Sequence, residues 1–341
     1  MANSQLLLAF STAAAAALLS GLATWAIRPR LLRIALATPN ARSSHSMPTP
    51  QGGGIAVVAA TLIVAAAAIA LSGAADLKIP IAVFGATLFI AAVGFADDVN
   101  SIPVLPRLLL QGLAVAVVVF AAPEHLRVVP TCPLWLERSL LLLAGLWFVN
   151  LVNFMDGLDL MTVAEVVPIA SAVVLLGWLG ELPASTTLAA AALFGAMLGF
   201  APFNRPVAKI FLGDVGSLPI GLLVGWCLLQ LAWYQQFAAA LLLPLYYLAD
   251  ATVTLLRRIA QREPFWAAHR THFYQRATDN GLSVSRVVSE VFLLNIVLAA
   301  LAIGSVMTTS AVIKNLLLAV GSIATAVLMY RFSRRQQPPF D

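Results

Sequence analysis

The stretch SLLLLAGLWFVNLVNFMDGLDL, residues 139–160, joins a long apolar run to a cluster of amides and carboxylates. The polar groups at the end of this run need partners, because burying them unpaired costs free energy. The whole chain has the same apolar character: 61% of its 341 residues are hydrophobic, only 10% are charged, and the mean hydropathy is +0.92. Soluble domains carry about 25% charged residues. The sequence therefore predicts an all-α integral membrane protein, a polytopic bundle of helices.

Apolar runs long enough to cross a bilayer recur along the chain and predict about eleven membrane-spanning helices in one membrane domain, residues 1–341. Ten is the alternative count, because the fourth run is short. The predicted spans lie at roughly 5–27, 51–72, 79–95, 107–122, 135–152, 162–180, 185–203, 215–234, 237–256, 287–307 and 311–331.

The distribution of basic residues predicts how the bundle is oriented. With the N-terminus outside and the C-terminus in the cytoplasm, all Lys and Arg residues except Lys78, Arg127, Arg138 and Lys314 lie at the inner face. Basic residues that border apolar spans fit an anionic membrane surface or anionic substrates, and not nucleic acid. The inner segments that could carry chemistry lie at about 28–50, 96–106, 153–161, 204–214 and 257–286.

Five aspartates fall at the predicted inner ends of spans, and this placement indicates one common site. They are Asp97, Asp98, Asp156, Asp159 and Asp214. Carboxylates gathered in one place repel one another unless a cation lies between them. A hard divalent ion such as Mg²⁺, bound by one or two carboxylates and substrate phosphate, would remove that repulsion, and Mn²⁺ is the alternative ion.

Asn150, Asn153 and Asp156 recur at every third position, so on a helix they form one slowly turning stripe. Asparagine offers both donors and an acceptor, which suits a nucleotide, a sugar amide or metal-bound oxygens. The alternative interpretation is a polar helix end that stops at Gly157.

Three other segments add candidate residues for anion binding. Lys209 and Asp214 lie in KIFLGDVGSLPIG (209–221), where glycines flank the aspartate and a helix is expected to begin. HRTHFYQR (269–276) places His269, His272 and Arg276 in a cationic patch that fits a diphosphate; zinc is the rival ligand. Arg42 and His45 precede a triple glycine in TPNARSSHSMPTPQGGGI (38–55), which is either a linker or part of an anion site.

These segments resemble, in the same order, the polyprenyl-phosphate N-acetylhexosamine-1-phosphate transferases, which form bacterial glycosyltransferase family 4. The matching segments are PNARSSHSMPTPQGGG, GFADDVNS, NLVNFMDGLDL, FLGDVGS and HRTHFYQR. The resemblance is greatest to the branch that starts O-antigen and other surface polysaccharides in the bacterial cytoplasmic (inner) membrane. It implies Mg²⁺-dependent transfer of a sugar 1-phosphate from a UDP-N-acetylhexosamine to undecaprenyl phosphate, with release of UMP. The sugar is GlcNAc or a 6-deoxy sugar such as FucNAc or QuiNAc, and a homodimer is compatible with the family.

The resemblance also implies roles for individual residues. Asp97 and Asp98 match an aspartate pair, of which one takes the lipid phosphate's proton and the other, Asp98, lies near the metal. Asp214 matches the principal metal ligand. Asn150, Asn153, Asp156 and Asp159 match the nucleotide and catalytic loop, and His269, His272 and Arg276 match a diphosphate-binding loop.

One position departs from the family pattern. The family usually reads DGxDGL, and this chain reads DGLDLM, so Leu160 replaces a glycine and restricts the backbone beyond Asp159. Two other functions remain as alternatives. A transporter would place acids near the middle of its spans, whereas a non-catalytic assembly subunit would tolerate the change at Leu160.

Overall fold

The computed structural model describes residues 2–37, 48–73, 77–264 and 269–335. This part of the chain is almost entirely helical, with one pair of two-residue strands, β1 (Leu36–Ala37) and β2 (Thr49–Pro50). The helices are α1 (Ala2–Ile34), α2 (Gly54–Leu71), α3 (Lys78–Val99), α4 (Val104–Ala121), α5 (Leu134–Met155), α6 (Met161–Trp178), α7 (Ala184–Phe200), a 3-10 turn (Ala201–Phe203), α8 (Asp214–Trp233), α9 (Phe237–Leu242), α10 (Leu245–Ala260), α11 (Phe273–Asp279), α12 (Val284–Val306) and α13 (Ala311–Ser333).

Ten of the described helices are long and apolar enough to cross a membrane: α1 to α8, α12 and α13. The prediction of an all-α polytopic membrane protein is therefore confirmed. The predicted span at 237–256 is instead two helices, α9 and α10, which meet at Pro244. Proline interrupts a helix because it lacks an N–H group and its ring clashes with the preceding turn.

The broken pair α9–α10 still crosses the bundle. Before α9, Gln235 donates a hydrogen bond to the carbonyl oxygen of Arg127, and Gln236 donates one to Glu181. At the other end, Asp250 of α10 accepts hydrogen bonds from the first turn of α11. The ten long helices and this pair correspond to the eleven predicted spans in the described part of the chain.

We call the end of the bundle that holds Asp98 and Asp214 the site face. The C-terminal parts of α1 and α13 both lie there. Arg28 of α1 donates to the carbonyl oxygen of Lys209 at 3.1 Å, close before Asp214 in the chain. Asn280, just after α11, donates to the carbonyl oxygen of Phe332 in α13 at 2.8 Å. The start of α1 and the end of α13 therefore lie at opposite faces, as the predicted topology requires.

Small residues let the helices approach closely. A Cβ on Gly195 of α7 would lie 1.9 Å from the carbonyl oxygen of Ala13 in α1, and one on Gly94 of α3 would lie 2.3 Å from the carbonyl oxygen of Asp214. The first contact fixes α1 against α7. The second brings the end of α3 against the beginning of α8, which is buried along nearly its whole length. This second contact positions the site.

Candidate active site

The end of α3 and the beginning of α8 are joined by Asp98. Its two carboxylate oxygens accept hydrogen bonds from the backbone N–H groups of Asp214 at 2.9 Å and Val215 at 3.0 Å. These N–H groups belong to the first turn of a helix, where they have no partner within the helix and where negative charge is stabilised. Asp98 is therefore a helix cap that sets the position of Asp214.

Asp97 lies beside this cap and is held by other partners. One carboxylate oxygen accepts the N–H of Ile102 at 2.6 Å, and the other forms an ion pair with Arg107 at 2.7 Å. The Asp97 carboxyl group also comes within hydrogen-bonding reach of the Asp214 carboxyl group. Asp97 and Asp214 thus form a close pair of carboxylates at the site face.

The two asparagines of the stripe have different surroundings. Asn153 donates to Asp214 Oδ1 at 2.7 Å and to Ser217 Oγ at 2.9 Å, so it lies within the carboxylate cluster. The amide of Asn150 is buried and donates to Gln111 Oε1 of α4 and to the carbonyl oxygen of Leu146, both at 2.8 Å. The structure therefore places Asn150 in the core between α4 and α5, and does not bring it to the carboxylates.

Asp156 directly follows α5 and accepts a hydrogen bond from the hydroxyl group of Thr162 in α6. Burial raises the pKa of Asp156 to about 8, and the negative charges of Asp214, Asp98 and Asp159 add to this increase. A carboxyl group with a pKa near neutrality can accept a proton and return it.

Asp159 and Leu160 connect the end of this loop to the segment before α8. Asp159 Oδ2 accepts the N–H of Ala208 at 3.0 Å. The buried side chain of Asn204 accepts the N–H of Leu160 at 2.7 Å and donates to the carbonyl oxygen of Ile210 at 2.9 Å. The structure thus gives Asp159 and Asn204 a role in holding two site loops together. The side chain of Lys209, in the same segment, is exposed.

The triple glycine is a site of close backbone contact. Gly53 and Gly54 donate to the carbonyl oxygens of Phe211 and Leu212 at 2.9 and 2.8 Å, and a Cβ on Gly54 would lie 2.2 Å from Gly216 Cα. Because these N–H groups already have partners, they are not presented to an anion. Arg42 and His45 lie outside the described residues.

The histidine-containing segment is anchored by Asp250, which is fully buried. Its carboxylate accepts the N–H groups of Phe273 at 2.9 Å and Tyr274 at 3.1 Å, and it lies 3.3 Å from His272 Nδ1. The His272 side chain is only 5% exposed, so it supports the loop and is not open to a substrate. The sequence alone predicts no role for Asp250. Its position within an apolar run is the one feature of the sequence that indicates a function.

Helix α11 also packs on the end of α5. The Tyr274 hydroxyl donates to the carbonyl oxygen of Phe154 at 3.0 Å, and a Cβ on Gly157 would lie 2.1 Å from the same hydroxyl oxygen. Gly157 is therefore needed because any side chain would displace Tyr274. This contact brings the cationic segment next to the 153–160 loop.

Positive charge at this end of the site comes from arginines. The guanidinium groups of Arg276 and Arg257 lie 6.0 and 5.9 Å from the ring centre of Phe273. Burial lowers the pKa of His269 to about 4, and the positive charges of Arg258 and Arg257 add to this decrease. His269 is therefore neutral at physiological pH and offers a hydrogen bond and not a charge.

The carboxylates fit a hard divalent ion that also binds substrate. Among the described residues, no three His, Cys, Asp or Glu side chains form a complete metal site. Mg²⁺ is commonly held by one or two carboxylates, with phosphate oxygens and water as its other ligands. Asp97 and Asp214 supply such a pair. Asp98, predicted with Asp214 as a ligand, already accepts two backbone N–H groups.

Comparisons with known proteins point to one family. The profile described as glycosyl transferase family 4 matches residues 80–232. A probable undecaprenyl-phosphate N-acetylglucosaminyl 1-phosphate transferase of Bacillus subtilis is 25% identical over 292 residues, 81% of this chain and 80% of the relative. A decaprenyl-phosphate N-acetylglucosaminephosphotransferase of Mycolicibacterium smegmatis is 30% identical over 315 residues, which cover 82% of this chain and 77% of the relative. A phospho-N-acetylmuramoyl-pentapeptide-transferase of Shouchella clausii is 40% identical over 87 residues, 26% of each chain.

Proposed function

The chain belongs to glycosyl transferase family 4, the polyprenyl-phosphate N-acetylhexosamine-1-phosphate transferases, and from this premise we propose that it transfers a sugar 1-phosphate from a UDP-N-acetylhexosamine to undecaprenyl phosphate. The observation that carries the proposal is the meeting of Asp97, Asp98, Asp156 and Asp214 at one end of a membrane bundle. A lipid phosphate lies at this depth while its prenyl chain stays among the apolar helices.

The reaction joins two phosphates. An oxygen of the lipid phosphate attacks the sugar-bearing phosphorus of the UDP-sugar, and the bond from that phosphorus to the UMP oxygen breaks. Mg²⁺, or Mn²⁺ in its place, would be held by Asp214 with Asp97 or Asp98 and would neutralise the charge that develops on the phosphates. The proton of the lipid phosphate passes to a carboxylate of this cluster, either Asp97 of the aspartate pair or Asp156 at the end of α5. A covalent route through an aspartate remains an alternative.

The cationic end of the site fits the leaving nucleotide. Arg276 and Arg257, stacked on Phe273, supply positive charge near the 153–160 loop. Neutral His269 supplies a hydrogen-bonding group beside them. We add to this nucleotide-binding set the side chains of Arg42, His45 and Lys209. The nucleotide or sugar is oriented by the loops that Asn153 and Asp159 hold in place.

The cellular role follows from the family branch that the motifs resemble. We assign the site face to the cytoplasm of a bacterial inner membrane and the reaction to the first step of O-antigen or other surface-polysaccharide synthesis, with a homodimer as the assembly. The gathering of acids at one end of the bundle favours the enzyme over a transporter, in which they would lie near the middle of the spans. A non-catalytic assembly subunit is the other alternative, and an assay for turnover excludes it.

The experiment is to incubate purified protein in nanodiscs with undecaprenyl phosphate, Mg²⁺ and a panel of UDP-sugars, and to measure UMP. We expect release of UMP from one UDP-N-acetylhexosamine, whose sugar is GlcNAc, FucNAc or QuiNAc. We expect no UMP after chelation of the divalent ion. Asp214→Asn removes turnover, while Asp279→Asn, at the exposed end of α11, keeps it. Absence of UMP with every sugar in the panel would overturn the proposal.

A further inference from the structure

Glu165 of α6 and Asn295 of α12 form a polar pair deep among apolar helices. Their side chains are 2% and 1% exposed. The amide nitrogen of Asn295 donates to Glu165 Oε2 at 2.6 Å and to the carbonyl oxygen of Ala164 at 3.0 Å. The remaining oxygens, Glu165 Oε1 and Asn295 Oδ1, are buried without a hydrogen bond from any side chain among the described residues, and the backbone N–H of Tyr247 approaches the Glu165 carboxyl group. Both are acceptors when Glu165 is ionised, so neither can satisfy the other.

No cation compensates Glu165 in the described part of the chain. No Lys, Arg or His side chain among the described residues forms an ion pair with the Glu165 carboxyl group. The titratable groups that face it are the phenols of Tyr246 and Tyr247, at the start of α10, and both are fully buried. An ionised carboxylate without a cation in such surroundings is strongly unfavourable.

A carboxylic acid and a primary amide complement each other through two hydrogen bonds, N–H to acid oxygen and acid O–H to amide oxygen. The first of these is present in the structure, and a proton on the acid would supply the donor for the second. We propose that Glu165 is a neutral carboxylic acid that donates its proton to Asn295 Oδ1, and that this pair is a positioning device for the active site.

The position of Glu165 on α6 explains how the pair acts on the site. α6 begins at Met161, directly after the 156–160 loop, and its Thr162 donates to Asp156. Glu165 follows Thr162 by three residues, about one helical turn, so the pair fixes the start of α6 against α12. Through this contact Glu165 holds the Thr162–Asp156 hydrogen bond in place. Its effect on turnover rests on the proposed function, whereas its protonation state does not.

Glutamine is the discriminating substitution. Glu165→Gln keeps the shape of the neutral acid and can form both hydrogen bonds with Asn295. We expect it to retain wild-type turnover and thermal midpoint. Glu165→Leu and Asn295→Leu each leave a polar group buried without its partner, which shifts the unfolding equilibrium by roughly tenfold or more. In Glu165→Leu we also expect a loss of kcat with little change in KM for the UDP-sugar.

Infrared spectroscopy tests the protonation state without any substrate. At neutral pH the wild-type protein should show a carbonyl band of a protonated carboxylic acid that Glu165→Gln removes and Asn295→Leu shifts in frequency. An unchanged band in Glu165→Gln would overturn the proposal, and so would a loss of turnover as large as in Glu165→Leu. If Glu165→Leu does not fold, the turnover of Glu165→Gln and the infrared band still test the proposal. If the wild-type protein shows no turnover, the proposed function is wrong. The infrared band then still tests whether Glu165 is protonated.

Discussion

At the scale of single residues, Leu160 has the backbone conformation that the family's glycine would adopt easily. Its φ of 63° and ψ of 4° lie in the left-handed region, directly before α6. In this region a Cβ comes too close to the following carbonyl oxygen, so the conformation is unfavourable for leucine. The hydrogen bond from its N–H to Asn204 and the packing of its side chain on the core offset this strain.

Leu160→Gly should therefore be more stable than Leu160→Ala by about 1 kcal/mol, because only glycine relieves the left-handed strain. Both variants lose the same packing apart from one methyl group, so alanine is the control for packing. The thermal midpoints of the two purified proteins measure the difference. Equal midpoints, or a higher midpoint for alanine, would show that residue 160 carries no strain.

His269 should make stability depend on pH. Its pKa is about 4 in the folded protein and 6.5 in the unfolded chain, so below pH 6.5 the unfolded chain binds a proton that the folded protein does not. Its contribution to stability is therefore complete above pH 6.5 and is lost as the pH falls towards 4. We expect His269→Gln to show a smaller loss of thermal midpoint across this range than wild type. His125→Gln, at an exposed position in the loop after α4, is the control and should follow wild type.

At the scale of secondary-structure elements, α11 depends on a carboxylate from another helix. Asp250 accepts two backbone N–H groups of its first turn, and Tyr246 and Thr254 also donate to Asp250. An isolated helix as short as α11 is not stable in water. Its position next to the site therefore rests on Asp250 and on the contact between Tyr274 and Phe154.

Asp250→Asn should release α11, because asparagine replaces a charged acceptor and leaves buried donors unsatisfied, at a cost of about 1–3 kcal/mol. We expect faster hydrogen exchange in residues 269–279 and lower turnover, since Arg276 moves with the helix. Asp279→Asn, at the exposed end of the same helix, should change neither measurement. Unchanged exchange in Asp250→Asn would remove Asp250 as the anchor.

The sequence predicts the elements of this protein better than their contacts. Apolar runs locate every long membrane helix, and the position of Asp97, Asp98 and Asp214 at span ends brings them together as expected. The stripe at 150–156 misplaces Asn150 because three residues turn a helix by only about 300°, so each step rotates the stripe by about 60°. The partners of Asp250 and Asn204 come from segments far away in the chain, and local pattern does not contain that information.

At the scale of the whole molecule, the predicted topology places the site face and the opposite face in different compartments. On a Cys132→Ser background, a cysteine at Thr309, between α12 and α13, should react with a membrane-impermeant maleimide in intact spheroplasts. A cysteine at Gln261, after α10, should react only once the membrane is permeabilised. Both positions are exposed in the fold, so reactivity reports their side of the membrane. Labelling of both in intact spheroplasts would contradict the topology.

The contacts that complete the site have a consequence for how the chain is made. The hydrogen-bond partner of Asp98, the N–H of Asp214, lies 116 residues later in the chain. The partner of the Phe154 carbonyl oxygen, the hydroxyl group of Tyr274, lies 120 residues later. Contacts across such separations form late, because the intervening chain must be ordered first. During synthesis the ends of α3 and α5 are therefore translated long before the segments of α8 and α11 that they contact. A chain that ends before α11 has the partners of Asp97, Asp98 and Asp156 but lacks the contact between Tyr274 and Phe154.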